Sequence, residues 1–247
     1  MNFLIEAIAW IFDPAHLSGA NGIPTRLAQH LGISLVVLVI ASVIAVPVGY
    51  LIGHTGRGRG LAVSLTGGLR ALPTLGLLII LALWLGIGIE APLIALIVLA
   101  VPPILAGAYS GFEAVDRRTV DAARAVGMTE WQIVSKVEVP LGLPLLIGGL
   151  RSGTLQIIAT ATLADYVGAG GLGHFIFAGT KSNDYPQMLA GSILVILLAV
   201  ISEGIFAIIQ KLVVPRGVSA GASERRDVRT PSSRRVAVVG LPTQERK

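Results

Sequence analysis

The sequence contains no cysteine and few charged or aromatic side chains. Without cysteine the chain has no disulfide, no thiolate metal ligand and no cysteine nucleophile. Charged residues make up 13% of the chain and aromatic residues 5%, whereas charged residues alone reach about 25% in soluble domains. Hydrophobic residues account for 53%. These proportions exclude an ordinary soluble domain and indicate an integral membrane protein.

The motifs of the common nucleotide and metal sites are also missing. No GxxxxGK[ST] run occurs, so the chain is not expected to bind ATP through a P-loop. HExxH is absent, and the four histidines, at positions 16, 30, 54 and 174, lie far apart in the sequence. Neither a metal site nor another cofactor is therefore predicted. Serines in the apolar segments lack a nucleophile motif, which leaves an intramembrane enzyme only as an alternative.

The sequence does contain apolar runs long enough to cross a bilayer as helices, which takes about 20 residues. Five are present, at 31–53, 61–86, 92–112, 144–166 and 188–212. The predicted fold class is all-α integral membrane, with about five transmembrane helices. Because five spans are few and no internal duplication occurs, we expect half of a transport pore. A second copy or a related subunit completes it.

The distribution of basic residues predicts the orientation of these spans. Arginine and lysine concentrate in the loops at 54–60 and 113–143 and in the segment from 211 onward, whereas the opposite side has only Arg26 and Lys181. Because basic loops stay cytoplasmic, we expect the N-terminus outside and the C-terminus inside. The same bias accounts for the net charge of +5, so no nucleic-acid partner is predicted.

Three regions follow from this pattern. Residues 1–29 lack the basic start of a signal peptide and carry Glu6, so they are predicted to form an extracytoplasmic or interfacial segment. Residues 30–212 form the membrane domain. Residues 213–247 are rich in serine, glycine, proline and arginine. We expect a disordered cytoplasmic tail that either contacts anionic membrane lipid or only sets the topology.

Capping signals give the loop at 113–143 a helix–turn–helix shape. Asp116 is a predicted N-cap, with a helix through residues 117–126 in which Ala122, Ala123 and Val126 form a face of small residues. Gly127 is expected to end this helix in a left-handed conformation. A second helix is predicted from a capping box at 129–132 to about residue 138, where Pro140 ends it.

The motif within this loop resembles that of a known family. The segment reads Asp121-Ala122-Ala123, three residues, Gly127, nine residues, then Val137-x-Val139-Pro140. It is similar to the EAA loop of ABC importer permeases, Glu-Ala-Ala, three residues, Gly, nine residues, Ile-x-Leu-Pro. Every spacing is kept, with Asp for Glu and Val for Ile and Leu. The resemblance implies that a cytoplasmic ATPase docks here.

The resemblance extends over most of the membrane domain. The stretches at 69–88 and 143–173 look like the permeases of osmoprotectant uptake systems for glycine betaine, choline, carnitine or proline. That family implies a type I importer fold, an ATPase dimer that binds ATP and Mg²⁺, an extracytoplasmic substrate-binding protein, and a homo- or heterodimeric permease in the cell membrane. This chain would have no catalytic residue. The alternatives are a permease for methionine or another amino acid and, from another class, a membrane scaffold.

Five residues are candidates for the translocation path: Pro73, Asp165, Tyr166, Gly170 and Gly171. Pro73 follows Arg70 within the second span and predicts a break, and broken helices often line transport paths. An arginine reaching for the interface explains the same pattern. Asp165 is placed to meet either a cationic head group or interfacial water. The glycines fit GxGxxG within 168–173, but an apolar helix precedes them instead of a strand, so an outer turn is predicted.

Two more ionisable residues lie within predicted spans. Arg151 is near the start of the fourth span and Glu203 is in the middle of the fifth. Charged groups at membrane depth are costly and therefore need partners. For Glu203 we expect a hydrogen bond between helices rather than a role in transport.

Overall fold

The structure, a computed structural model, describes residues 2–213. These residues form α-helices, two 3₁₀ segments (Pro14–His16 and Ala161–Val167) and one π-turn (Val134–Glu138), with no β-strand among them. The part of the predicted tail beyond Val213 lies outside the described residues. The α-helices are α1 (Phe3–Phe12), α2 (Ile23–Thr55), α3 (Arg59–Arg70), α4 (Thr74–Leu85), α5 (Glu90–Glu113), α6 (Arg117–Ala125), α7 (Glu130–Ile133), α8 (Val139–Thr160), α9 (Gly173–Ser182) and α10 (Tyr185–Val213).

The predicted all-α membrane fold is confirmed. Four helical stretches are long and apolar enough to cross a membrane: α2, α5, the run from Glu130 to Val167, and α10. A fifth consists of α3 and α4, which meet at an angle of 86°. The break predicted at Pro73 lies between them, because Pro73 is extended and caps the start of α4.

Glycine contacts place α5 between α2 and α8. A Cβ on Gly49 of α2 would lie 2.6 Å from the Cβ of Ala108 on α5. On the other side, a Cβ on Gly111 of α5 would lie 2.6 Å from the carbonyl oxygen of Gly142 on α8. Small residues at these crossings let the three helices approach closely, as membrane helices do when packing rather than the hydrophobic effect joins them.

The helices α1, α9 and α10 form a second group beside this core. Trp10 of α1 stacks on His16 at 3.8 Å and meets the ring of Phe175 on α9 edge-on at 5.2 Å. Phe175 is buried with Ile23 and Leu172 in one apolar cluster. Only Ala190 and Gly191 of α10 are buried, which leaves an apolar surface for lipid or another subunit.

The helix α2 begins at Ile23, before the span that the sequence predicted from residue 31. Gly22 caps it, and Pro24 occupies its first turn. The turns that follow contain the polar residues Arg26, Gln29 and His30, which lie before the first span that the sequence predicted. Their side chains are instead bound within the fold, as described below.

Candidate functional site

The first helix of the loop at 113–143 is held at its start as predicted. Asp116 accepts a hydrogen bond from the backbone N–H of Arg118 at 2.9 Å, which satisfies a free donor of α6. Val115 and Val120, on either side of this cap, are buried in one apolar cluster with Ala123 and Ile133. This cluster fastens α6 to α7 and fixes the shape of the loop.

The predicted face of small residues on α6 is wrong for Ala123. That side chain is buried in the cluster just described, together with Val137 from the second half of the motif. Ala122 and Val126 remain exposed and share a face, because residues four apart on a helix are neighbours. Ala123 lies three residues after Val120, on the inward side, so the adjacent alanines point in different directions.

The turn at Gly127 has the left-handed conformation that the sequence predicted, with φ of +85°. The backbone N–H of Met128 then reaches the carbonyl oxygen of Ala123 at 3.1 Å. The turn presents two large apolar side chains, since Val126 is 79% exposed and Trp131 is 78% exposed. Trp131 lies outside the motif predicted from the sequence, although a tryptophan in a polar loop is a signal for a contact surface.

The capping box is confirmed, but the end of the second helix is not where the sequence placed it. Thr129 and Gln132 bind each other's backbone N–H groups. The prediction that Pro140 ends the helix is wrong, because a π-turn at Val134–Glu138 joins α7 directly to α8. The N–H of Val139 binds the carbonyl of Val134, five residues back. Pro140 therefore stands in the first turn of α8, where its missing N–H costs little.

Charged side chains link this loop to the end of α2. The Nδ1 atom of His54 lies 2.6 Å from Glu138, and its Nε2 atom lies 3.3 Å from Glu130. Arg124 donates to both oxygens of Glu130, at 2.7 and 3.0 Å, and to Asp121 at 3.3 Å. The hydrogen bond to Glu130 raises the pKa of Arg124 above the usual value of an arginine side chain. His54 was not predicted as a site residue, since no local sequence pattern connects positions 84 residues apart.

At the other end of α8, the glycine-rich turn packs against the start of α2. Gly170 and Gly171 have φ of +82° and +94°, and a Cβ on Gly170 would lie 2.4 Å from Gln29. Gln29 accepts the N–H of Gly171 at 3.2 Å. His30 accepts the N–H of Leu172 at 3.3 Å, and its other nitrogen lies 3.0 Å from the carbonyl of Ile158. With one nitrogen accepting, the other carries the proton and donates to that carbonyl.

The structure gives Asp165 protein partners rather than an open position. Its carboxylate lies 3.9 Å from Arg26 and 3.4 Å from His174. The side chains of Arg26 and Asp165 are only 13% and 14% exposed. Arg26 also donates to Asn21 at 2.6 Å and to Gln29 at 3.1 Å. This group joins α2 to the segment before the glycine-rich turn.

Tyr166, the neighbour of Asp165, is exposed and packs against the ring of Phe177 at 5.7 Å. It lines an open, largely apolar cavity of about 300 Å³ whose other walls come from the end of α4 and the turn at Gly168. The sequence-predicted path residues are thus divided. Asp165, Tyr166, Gly170 and Gly171 lie on one segment, whereas Pro73 begins α4.

An ion pair joins α8 to α10 within the membrane domain. Arg151 donates through Nε to Glu203 at 2.6 Å. The hydrogen bond between helices that was predicted for Glu203 is present. Among residues 2–213, no group of three or more His, Asp or Glu side chains is arranged to hold a metal ion.

Comparisons with known proteins agree on one family. The family model described as "Binding-protein-dependent transport system inner membrane component" matches residues 26–216. The glycine betaine/carnitine/choline transport system permease OpuCB of Bacillus subtilis is 32% identical over 78% of this chain and 89% of its own length. The carnitine transport permease OpuCB of Listeria monocytogenes is 34% identical, over 77% and 87%.

Solved structures give the same fold. An inward-facing structure of the MetNI methionine ABC transporter superposes with a TM-score of 0.68, covering 77% of this chain and 95% of that chain at 24% identity. At that identity the likeness concerns the fold alone. The arrangement of helices is that of an ABC importer's membrane subunit.

Proposed function

Because the chain belongs to the family of binding-protein-dependent transport system inner membrane components, we propose that it is the permease subunit of an ATP-driven importer for compatible solutes. Glycine betaine, choline, carnitine and proline are the proposed solute class. The observation that carries this proposal is the 32–34% identity to permeases named for glycine betaine, carnitine and choline. These matches extend over more than three quarters of the chain.

The loop at 113–143 is the proposed docking site for a cytoplasmic ATPase dimer. Its motif residues are Asp121, Ala122, Ala123, Gly127, Val137, Val139 and Pro140. The structure supports docking because Val126 and Trp131 are exposed at the turn, and aromatic side chains dominate the energy of many interfaces. The inward contacts of Ala123 and Val137 hold the turn rigid. Because the turn is rigid, movement of the docked ATPase is transmitted to the helices that the loop joins.

The orientation proposed for the chain places this loop in the cytoplasm. The basic residues of the loops at 54–60 and 113–143 support that placement. The glycine-rich turn then faces outward, toward an extracytoplasmic substrate-binding protein. The exposed apolar surface of α10 is available to membrane lipid. A second permease, identical or related, completes the pore.

Within the pore we propose different roles for the path residues. Tyr166 is exposed beside the apolar cavity and is the residue proposed to meet the solute, since an aromatic face attracts quaternary ammonium groups. Asp165 shapes the path by holding Arg26. Gly170 and Gly171 let the outer turn lie against α2, and the break at Pro73 allows α4 to leave the line of α3.

Transport follows from these parts by alternating access. ATP binding closes the ATPase dimer, the docked loops move with it, and the two permease halves tilt against each other. ATP is bound with Mg²⁺ and hydrolysed in the partner. The role of this chain is to bind the ATPase, form the solute path and change conformation.

Gly127→Asp tests the docking site. An aspartate costs backbone energy at a φ of +85° and adds a charge beside Val126 and Trp131. We expect uptake of radiolabelled glycine betaine and choline to be lost and ATPase co-purification to weaken, with membrane abundance unchanged. Gly19→Asp is a matched control, because Gly19 has φ of +87° and equally open surroundings outside the loop. Normal uptake by the Gly127 variant would overturn the assignment.

Competition between solutes tests the substrate class. Unlabelled betaine, choline, carnitine or proline in excess should reduce uptake of the labelled solute, whereas methionine should not. Methionine is the informative competitor because the superposed transporter carries it. Inhibition by methionine alone would replace the compatible-solute proposal with an amino-acid importer of the same fold.

A further inference from the structure

His54 stands where three parts of the molecule meet. It lies in the last turn of α2, and its two ring nitrogens face carboxylates from two other elements. Glu138 ends the π-turn at the base of α8, and Glu130 begins α7. The contact from Nδ1 to Glu138 is a hydrogen bond, and Nε2 approaches a carboxylate oxygen of Glu130 at 3.3 Å.

The contact with Glu138 is the tighter of the two. The distance between His54 Nδ1 and Glu138 Oε2 is 2.6 Å, and the Glu138 side chain is only 2% exposed. A buried carboxylate without a partner is costly, and His54 is its hydrogen-bond partner within residues 2–213. The π-turn at 134–138 places Glu138 against α2, which gives this irregular piece of helix a specific role.

The contact with Glu130 extends the link into the loop. Glu130 lies 3.3 Å from His54 and is bound through both oxygens by Arg124 of α6. His54 thus connects α2 to both arms of the loop, one through Glu138 and the other through Glu130 and Arg124. The loop is also joined covalently to α5 and α8, and Glu113 at its start pairs with Arg59 of α3.

We propose that His54 is a positioning residue for energy coupling, which ties the ATPase-docking loop to α2 so that motion of the loop moves α2 together with α8. This inference rests on the proposed function. The covalent joints act on α5 and α8, and the His54 contacts add a direct link from the loop to α2 beside the packing of α2 on α5. Since α2 carries Arg26, Gln29 and His30 at its far end, motion of the loop also reaches the glycine-rich turn.

A distance measurement in the intact importer tests this directly. The chain has no cysteine, so Thr55→Cys and Thr119→Cys, both at exposed positions, place the spin labels of this chain on α2 and on α6 of the loop. In the importer purified by a tag on this chain, the label-to-label distance should stay the same with and without ATP and vanadate. When Glu130→Ala is added, the distance should shift or broaden with nucleotide. A nucleotide-dependent distance without Glu130→Ala would overturn the proposal.

Transport provides the second measurement. Glu130 is exposed, so Glu130→Ala removes the link to α6 without leaving a buried charge. We expect solute imported per ATP hydrolysed, with glycine betaine as the probe, to fall about fivefold or more, the lower end of coupling between linked sites. Glu113→Ala is the control, because it removes an ion pair with Arg59 of α3 at the same end of the molecule and leaves the contacts of His54 and Arg124 intact. An unchanged ratio in Glu130→Ala would contradict the proposal.

The link to Glu138 needs a paired replacement. His54→Ala alone strands a buried carboxylate and is expected to reduce membrane abundance. His54→Leu with Glu138→Leu replaces both polar side chains, so abundance should recover while import per ATP stays low. Recovery of both would make the pair purely structural. If no ATPase co-purifies with the wild-type chain, the proposed function fails and this inference fails with it; loss of coupling alone leaves the proposed function standing.

Discussion

Gly107 of α5 and Gly149 of α8 pack backbone against backbone. A Cβ on Gly149 would lie 2.8 Å from the Cα of Gly107 and equally near the carbonyl oxygen of Pro103. Neither neighbour is the end of a flexible side chain that can move aside. The two glycines therefore allow the central helices to approach this closely, and a larger residue at either position would push them apart.

Gly149→Ala should destabilise the membrane domain for that reason. Overpacking of a close contact costs about 1–3 kcal/mol. Gly148→Ala is the control, because a Cβ there has open space and replacing a helical glycine by alanine gains about 0.5–1 kcal/mol. Thermal unfolding in detergent should give a lower midpoint for the first variant and an equal or higher midpoint for the second. Equal midpoints for both would contradict the close crossing.

The pair of Arg151 and Glu203 makes a second prediction about stability. Arg151→Leu and Glu203→Leu should each lower the thermal midpoint, because each leaves an unpaired charge between α8 and α10. The double replacement should recover most of the loss. A double-mutant cycle should give a coupling free energy at or above about 0.6 kcal/mol, the average for hydrogen bonds between membrane helices. Additive losses would mean that the pair contributes nothing.

Asp165→Asn separates a structural role from contact with the solute. Arg26 is mostly buried and would lose its carboxylate partner, so we expect a lower thermal midpoint with the KM for uptake unchanged. Asp184→Asn is the control, because Asp184 accepts the N–H of Gln187 at 3.0 Å and asparagine caps equally well. A raised KM at unchanged stability would instead place Asp165 against the solute.

The parts of this structure that the sequence predicted are those that depend on neighbouring residues. The cap at Asp116, the left-handed Gly127 and the box of Thr129 with Gln132 each involve residues within four positions. Such contacts form from local chain geometry alone. The break at Pro73 belongs with them, because the ring of proline acts on the turn before it.

The sequence-based predictions were wrong where polar side chains find their partners in distant segments of the chain. The sequence placed the first span at 31–53, yet α2 begins at Ile23, and Gln29 and His30 bind the turn at 170–172. Pro140 looked like a helix end, but a π-turn carries the helix into it and places Glu138 against His54. Pairs separated by 84 and 142 residues leave no periodic signal for a single sequence to reveal.

Cysteine labelling tests the proposed orientation, on which the placement of the docking loop depends. The natural chain has no cysteine, so it gives no background with a membrane-impermeant maleimide. Ser18→Cys and Thr119→Cys introduce exposed thiols before α2 and on α6. In intact cells only the Ser18 variant should be labelled, and the Thr119 variant should react after the membrane is opened. Because an odd number of spans separates the two positions, labelling of Thr119 in intact cells would invert the whole arrangement and move the ATPase site to the other end of the molecule.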